Sequence, residues 1–166
     1  MPATMIGGPE LASDDDEHYE ALFDTQSGLP KAALVRDRLQ MALALARRSR
    51  KLVGLVHVGM DSPATAGFDM DSMITSVAQG FAAAVRPGDT IGRVGNTELV
   101  VVCPDIPYEE DAAPLVERLL STLEHSLDGR GALPEVEIGV ALGRGNADSR
   151  DLLVEARLAR VSTRSA

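Results

Sequence analysis

The chain has one cysteine, too little basic charge to offset its acid, and no long apolar run. Cys103 cannot close an internal disulfide, and its place at the end of the apolar run LVVVC makes it a small buried thiol. Lysine and arginine number 16 against 25 acidic residues, a net charge of −9. A nucleic-acid backbone is repelled by that balance on average, which argues against sequence-independent DNA or RNA binding. No stretch approaches the roughly 18 apolar residues of a spanning helix, and no basic segment followed by an apolar one opens the chain. A cytoplasmic protein is the expectation. His57 has no cysteine or second histidine at metal-ligand spacing, so it is expected as a satisfied core histidine. No internal repeat at a solenoid period is found.

What is present suits one domain: 166 residues, 45% of them hydrophobic, can bury a real core. Residues 1–16 form an expected disordered acidic tail that runs into the folded unit, 17–166, through the DDDE run Asp14–Glu17. Ser13 or Asp14 can cap a helix over Glu17–Phe23. TQSGLP, residues 25–30, is a turn on Gly28 and Pro30, after which Lys31–Arg50 carries Leu34, Val35, Leu39, Ala42, Leu43 and Ala46 at helical spacing. Leu52–Met60 is nearly continuous in apolar character and predicts a strand buried on both faces. A loop over Asp61–Phe68 leads to a helix from about Asp69 to Arg86, striped with Met73, Val77, Ala78, Phe81 and Val85.

Strands over Thr90–Val94 and Glu98–Cys103 flank Gly95 and Asn96, a pair that tolerates positive φ and suits a tight hairpin. Pro104–Tyr108 reads as loop, Asp111–Leu127 as an amphipathic helix, Val136–Leu142 as a strand, and Asp148 to about Val161 as a last helix begun by Asp148 or Ser149. The order predicts an α+β domain, with one sheet covered by helices.

Four words in that order resemble the GGDEF domain of diguanylate cyclases, which condense two GTP into cyclic di-GMP. DTQSGLPK (24–31) is similar to the family's DxLTGLPN, and VAQGFAAAVRPGDTIGRVG (77–95) to its long helix, turn and strand. EIGVA (137–141) resembles SIGVA, and DLLVEARLA (151–159) resembles the LLxxADxAL helix. The likeness runs from about Ala21 to the end. It implies a palm-like nucleotidyl cyclase fold with a central, mainly antiparallel sheet.

The signature departs from the family. Laid on Gly-Gly-Asp-Glu-Phe, the chain reads Gly95, Asn96, Thr97, Glu98, Leu99, so a threonine stands where the resemblance implies a metal-holding acid. The other metal carboxylate, which opens the family's DLDGF word, falls on Gly59, followed by Met60 and Asp61. Hard divalent ions need anionic oxygen ligands, so no magnesium site and no catalytic residue is expected. Asp61 is two residues beyond Gly59 on the same strand face, displaced by roughly 6 to 7 Å, too far to substitute. The stretch from Asp61 to Val77 is shorter than the family's, no asparagine can be placed in the base-binding role, and Asp71 alone matches the aspartate of the family's GHxxGD word. Arg164 alone matches its phosphate-contacting lysine, and the usual GRN is missing.

Arg86-Pro87-Gly88-Asp89 stands five residues before Gly95 and matches the family's RxxD motif, which the resemblance implies to be a product-binding site. Arg86 can donate a bidentate pair to guanine O6 and N7, and Asp89 can accept from the base's N–H edge. Equally, arginine at a helix C-terminus complements the dipole, Pro-Gly stops the helix, and Asp is an ordinary turn residue. A second arginine of such a site is not identified by the sequence. The expectation is a catalytically inactive GGDEF-like signalling domain with no cofactor, binding cyclic di-GMP through Arg86 and Asp89 and regulating a partner protein, with a homodimer open. The alternative is an interaction or dimerisation module with no nucleotide, and last an active cyclase. The stretch before Ala21 leaves no room for a sensor, receiver or EAL-type domain, so input or output is expected from another chain.

Overall fold

Leu52–Asp61 forms β1, and every residue from Leu52 to Met60 is buried. A strand covered on both faces must lie at the centre of a sheet. The computed structural model, which describes residues 14–61, 69–129 and 134–163, puts it there. Thr90–Gly95 (β2), Glu98–Ile106 (β3), Glu135–Gly143 (β4) and Val161–Ser162 (β5) complete a five-stranded sheet in the order β2-β3-β1-β4-β5, with every pair antiparallel.

Asp14–Leu22 is α1, Ala32–Ser49 α2, Met70–Ala84 α3, Ala112–Leu127 α4 and Ser149–Leu158 α5. Alternation along the strands divides the core into two layers. Val56, Val58 and Met60 of β1 pack with Met73, Ile74, Val77 and Phe81 of α3 and with Leu115, Leu119 and Leu123 of α4. Val53 and Leu55 turn the other way, onto Val35, Leu39 and Leu43 of α2 and Leu152 and Ala156 of α5. The α+β architecture expected from the element order is the one observed. Asp69 and Asp148 cap α3 and α5, accepting from Ser72 N at 3.2 Å and Arg150 N at 2.8 Å. Among the described residues, no helix is long and apolar enough to cross a membrane.

Several boundaries differ from the sequence expectation. Asp14–Asp16 lie inside α1, whose first turn is entirely acidic, instead of in a tail; a helix N-terminus favours that charge. Ser13, the other candidate cap, lies outside the described residues. The first helix stops at Leu22 instead of Phe23, which bridges to Pro30 and stacks on Tyr19 with ring centroids 4.7 Å apart. Pro104–Ile106 belong to β3, not to a loop. One extra β3 residue is absorbed between the Leu52–Ile106 and Gly54–Cys103 pairs, with Asp105 at φ 59. A bulge of this kind tolerates a proline that has no N–H to give. The third helix ends at Ala84, before Arg86, and the last at Leu158, so that Val161 joins the sheet edge as β5.

That early end of α5 depends on Gly139. A Cβ there would collide with the Ala156 carbonyl oxygen and lie 2.7 Å from Arg160 N and 3.0 Å from Ala159 C, all backbone atoms. The helix therefore rests its main chain directly on β4, and Arg160 is the residue that turns from helix to strand. Backbone cannot swing aside as a side chain can. Gly139→Ala is expected to lower the unfolding free energy by about 1–3 kcal/mol, read as a lower midpoint in urea; an unchanged midpoint would show that α5 is free to slide.

Candidate functional site

At the hairpin end of the sheet, β1 and its two neighbours carry acid on the face covered by α2 and α5. Gly59 is paired with Glu98 of β3 on one side and Glu137 of β4 on the other, and Asp61 is opposite Glu135 one step further out. Unrelieved, these carboxylates repel across the strands. Arg160 relieves them: its Nη1 is 3.3 Å from Glu98 Oε1 and its Nε 3.7 Å from Glu137 Oε2. Arg157 adds a third contact, 3.4 Å from the same Glu98 oxygen. The guanidinium of Arg160 occupies the space that a side chain at residue 59 would need, since a Cβ on Gly59 would meet Nη1 and lie 3.0 Å from Cζ. Gly59, Met60, Asp61, Thr97, Glu98, Glu135, Glu137 and Arg160 enclose a mouth of about 240 Å³. Among the described residues, no three His, Cys, Asp or Glu side chains converge as a metal-binding group.

The hairpin itself is anchored from behind. Arg93 of β2, its side chain nine-tenths buried, reaches Asp71 Oδ1 at 2.7 Å and Asp24 Oδ2 at 3.2 Å, and donates to the Asn96 carbonyl at 2.8 Å. Burial alone would raise the Asp24 carboxyl, yet it is held below its ordinary value by hydrogen bonds from the Ser27 hydroxyl and amide and by Arg93. Burial would likewise lower Arg93, and its bonds to Asp71 and Asp24 outweigh that and raise it. One cation thus ties the TQSGLP turn, the start of α3 and the hairpin together.

The sequence profile described as "Diguanylate cyclase, GGDEF domain" matches residues 21–165. The chain belongs to the GGDEF family. It is 29% identical over 162 residues to the bifunctional diguanylate cyclase/cyclic di-GMP phosphodiesterase MucR of Pseudomonas aeruginosa, covering 92% of this chain and 24% of that protein. The chain thus spans about a quarter of that relative. The diguanylate cyclase SiaD of Pseudomonas aeruginosa, solved with its activator SiaC, superposes with a TM-score of 0.73 at 22% identity, over 86% of this chain and 58% of that one. The GGDEF domain of DgcB from Caulobacter crescentus, solved in complex with c-di-GMP, gives 0.71 at 20% identity, over 84% and 85%.

Within this GGDEF domain, the signature segment Gly95-Asn96-Thr97-Glu98-Leu99 is a hairpin, but its turn residues are Asn96 and Thr97, not Gly95 and Asn96. Neither Gly95 nor Asn96 has positive φ, because Gly95 still pairs with Glu98 and a register shift after Arg93 absorbs the bend. The Thr97 carbonyl accepts from Met60 N at 2.9 Å, fastening the turn to β1. Leu99 is fully buried. Asp71 is engaged with Arg93, and Arg164 lies outside the described residues.

Arg86 and Asp89 fall at the far end of β2, away from the mouth, and satisfy each other. Asp89 Oδ2 accepts from Arg86 N at 2.9 Å, and Arg86 Nη2 donates to the Pro104 carbonyl at 2.9 Å while lying 3.5 Å from Asp89 Oδ1. The Asp89 side chain is 2% exposed, against 45% for Arg86.

Arg157 and Arg160 escaped the sequence reading, although the signal was present. With Leu152 and Leu153 laid on the first two letters of the LLxxADxAL word, they stand on its Asp and its final Leu, two charge changes relative to that word. Cys103 is buried as expected, and burial pushes its thiol up to about 12, with Asp89 adding to the effect.

His57 corrects the expectation of a satisfied core histidine. It is 3% exposed, on the same face as Gly59, and its Nδ1 has no hydrogen-bond partner among the described residues. Burial drives its imidazole down to about 4, Glu98 opposing and Arg160 and Arg157 assisting. Between 6.5 and about 4 the unfolded chain therefore binds the extra proton, so stability present in full above pH 6.5 is lost as pH falls toward 4. The loss amounts to up to about 3 kcal/mol at 1.36 kcal/mol per unit. Urea unfolding at neutral and acid pH should show a smaller acid loss for His57→Leu than for the wild type; equal losses would exclude His57 as the source.

Proposed function

We propose that this chain is a catalytically inactive GGDEF domain that acts in signalling by contacting a partner protein. One observation carries the reading: the Arg160 guanidinium lies over Gly59, between Glu98 and Glu137, at the strand position where the resemblance implies a metal carboxylate. Phosphoryl transfer depends on divalent cations that neutralise charge on the transferred group. Magnesium demands hard anionic ligands in near-octahedral array. Glu98 and Glu137 are already engaged with a fixed cation, Thr97 and Gly59 bring no charge, and a guanidinium repels a second positive ion. The donor set does not fit a magnesium pair.

The second reading, a cyclic di-GMP receptor, rests on the half-exposed Arg86, whose guanidinium keeps donors free for a guanine edge. It requires Asp89 to turn outward from a nearly closed position and the turn to exchange internal hydrogen bonds for external ones. The solved relatives, one with an activator protein and one with cyclic di-GMP, give each reading a precedent in the fold.

Incubation with GTP and magnesium is expected to yield no cyclic di-GMP; product formation overturns the inactive reading. Titration calorimetry with cyclic di-GMP is expected to give no saturable heat. Saturable heat that disappears in Arg86→Ala replaces the partner-only reading with the receptor.

A further inference from the structure

We infer that the outward flank of α2 is a self-complementary surface on which a second copy of this chain lays its own α2, antiparallel to the first. Val35, Leu39, Ala42, Leu43 and Ala46 turn one face of the helix into the core. Leu34, Met41, Ala44 and Leu45 form a second apolar stripe, at the spacing that gathers side chains on one side of a helix. Leu34 is half-buried, while Met41 and Leu45, one turn apart, are 60% and 61% exposed. A lone exposed apolar side chain is ordinary on a protein surface. A stripe of them beside a face that is already buried is what a second helix packs against.

Charge names the occupant. Asp37 stands one turn before Met41 and Arg48 one turn after Ala44, both exposed on that outward side, and neither has an ion pair among the described residues. A two-fold axis passing between Met41 and Ala44 brings Asp37 against Arg48 of the second copy and Met41 against Ala44 of the second copy, and each contact occurs twice. A two-fold interface must be complementary to itself. Acid at one end of the stripe, base at the other and apolar residues between them meet that condition, and the small Ala44 opposite the longer Met41 lets the two helices come close. Arg38, the other cation on this flank, leans toward β2, with its Nη1 3.5 Å from Thr90 Oγ1.

The inference stands whether or not the domain is inactive, because no residue of the stripe lines the acidic mouth or belongs to the RxxD turn. A contact confined to one pair of helices falls at the small end of the range of protein interfaces, so the association is weak and reversible.

Small-angle X-ray scattering of the whole chain, at concentrations up to about 1 mM, is expected to follow a monomer–dimer equilibrium. Met41→Glu with Leu45→Glu changes two exposed sites to a residue that helices accept well, so the fold is kept, and only monomer is expected. Asp37→Arg is expected to weaken the dimer about tenfold, since two ion pairs give way to repulsion. Arg48→Asp is expected to do the same. The chain carrying both exchanges, Asp37→Arg with Arg48→Asp, restores opposite charges across the axis and is expected to return to within about threefold of the wild type. Three results each overturn the inference: a wild type that stays monomeric throughout, as it would if the stripe served a different protein; a Met41→Glu, Leu45→Glu chain that associates like the wild type; or a double exchange as weak as the single ones.

Discussion

The hairpin end of this domain is organised by how closely α5 can approach the sheet. Gly139 lets the helix main chain touch β4, and Gly59 leaves a hollow on the neighbouring strand. Arg160, the last residue of that contact region and the last before β5, fills the hollow because the backbone delivers it there. Its ion pairs with Glu98 and Glu137 are partly buried, with side-chain exposures of 21%, 20% and 45%. A partly buried network of this kind holds geometry more firmly than isolated surface pairs do. Geometry is the relevant output, since the network fixes the charge of the mouth.

Charge at that mouth then decides what can enter. Asp61, Glu98, Glu135 and Glu137 are four carboxylates within one pocket, a composition that would concentrate cations if nothing answered it. Arg160 answers it from within the fold, and Arg157 supports it from the rim. Burial is the main reason that His57 stays neutral, and the same guanidinium groups add to it against the pull of Glu98.

Local sequence rules read the architecture well and the site poorly, for different physical reasons. The unbroken apolar run of β1, the 3.6-residue stripes of α2 to α4 and the Asp148 cap of α5 are signals within one segment, and each reported its element. Pro104 misled because the cost of its missing N–H is absorbed by a bulge against β1, a partner distant in sequence. Gly95 and Asn96 misled because a register shift, not positive φ, makes the bend. That Thr97 and Gly59 carry no acid was visible residue by residue. The cation that lies over Gly59 was not, since Arg160 lies 101 positions from Gly59 and meets it only through strand pairing and the Gly139 contact.

Arg93 and Arg160 show two uses of one chemistry at neighbouring places. The Arg93 side chain is nine-tenths buried and bridges Asp24 and Asp71, which come from the segment before a turn and from a helix start. Burial of a guanidinium is costly unless its partners are fixed, and here they are fixed by Ser27 and by the first turn of α3. Arg160 is more exposed and neutralises a surface that faces solvent. The first holds the hairpin in place whatever the domain binds, while the second sets the sign of what the hairpin meets.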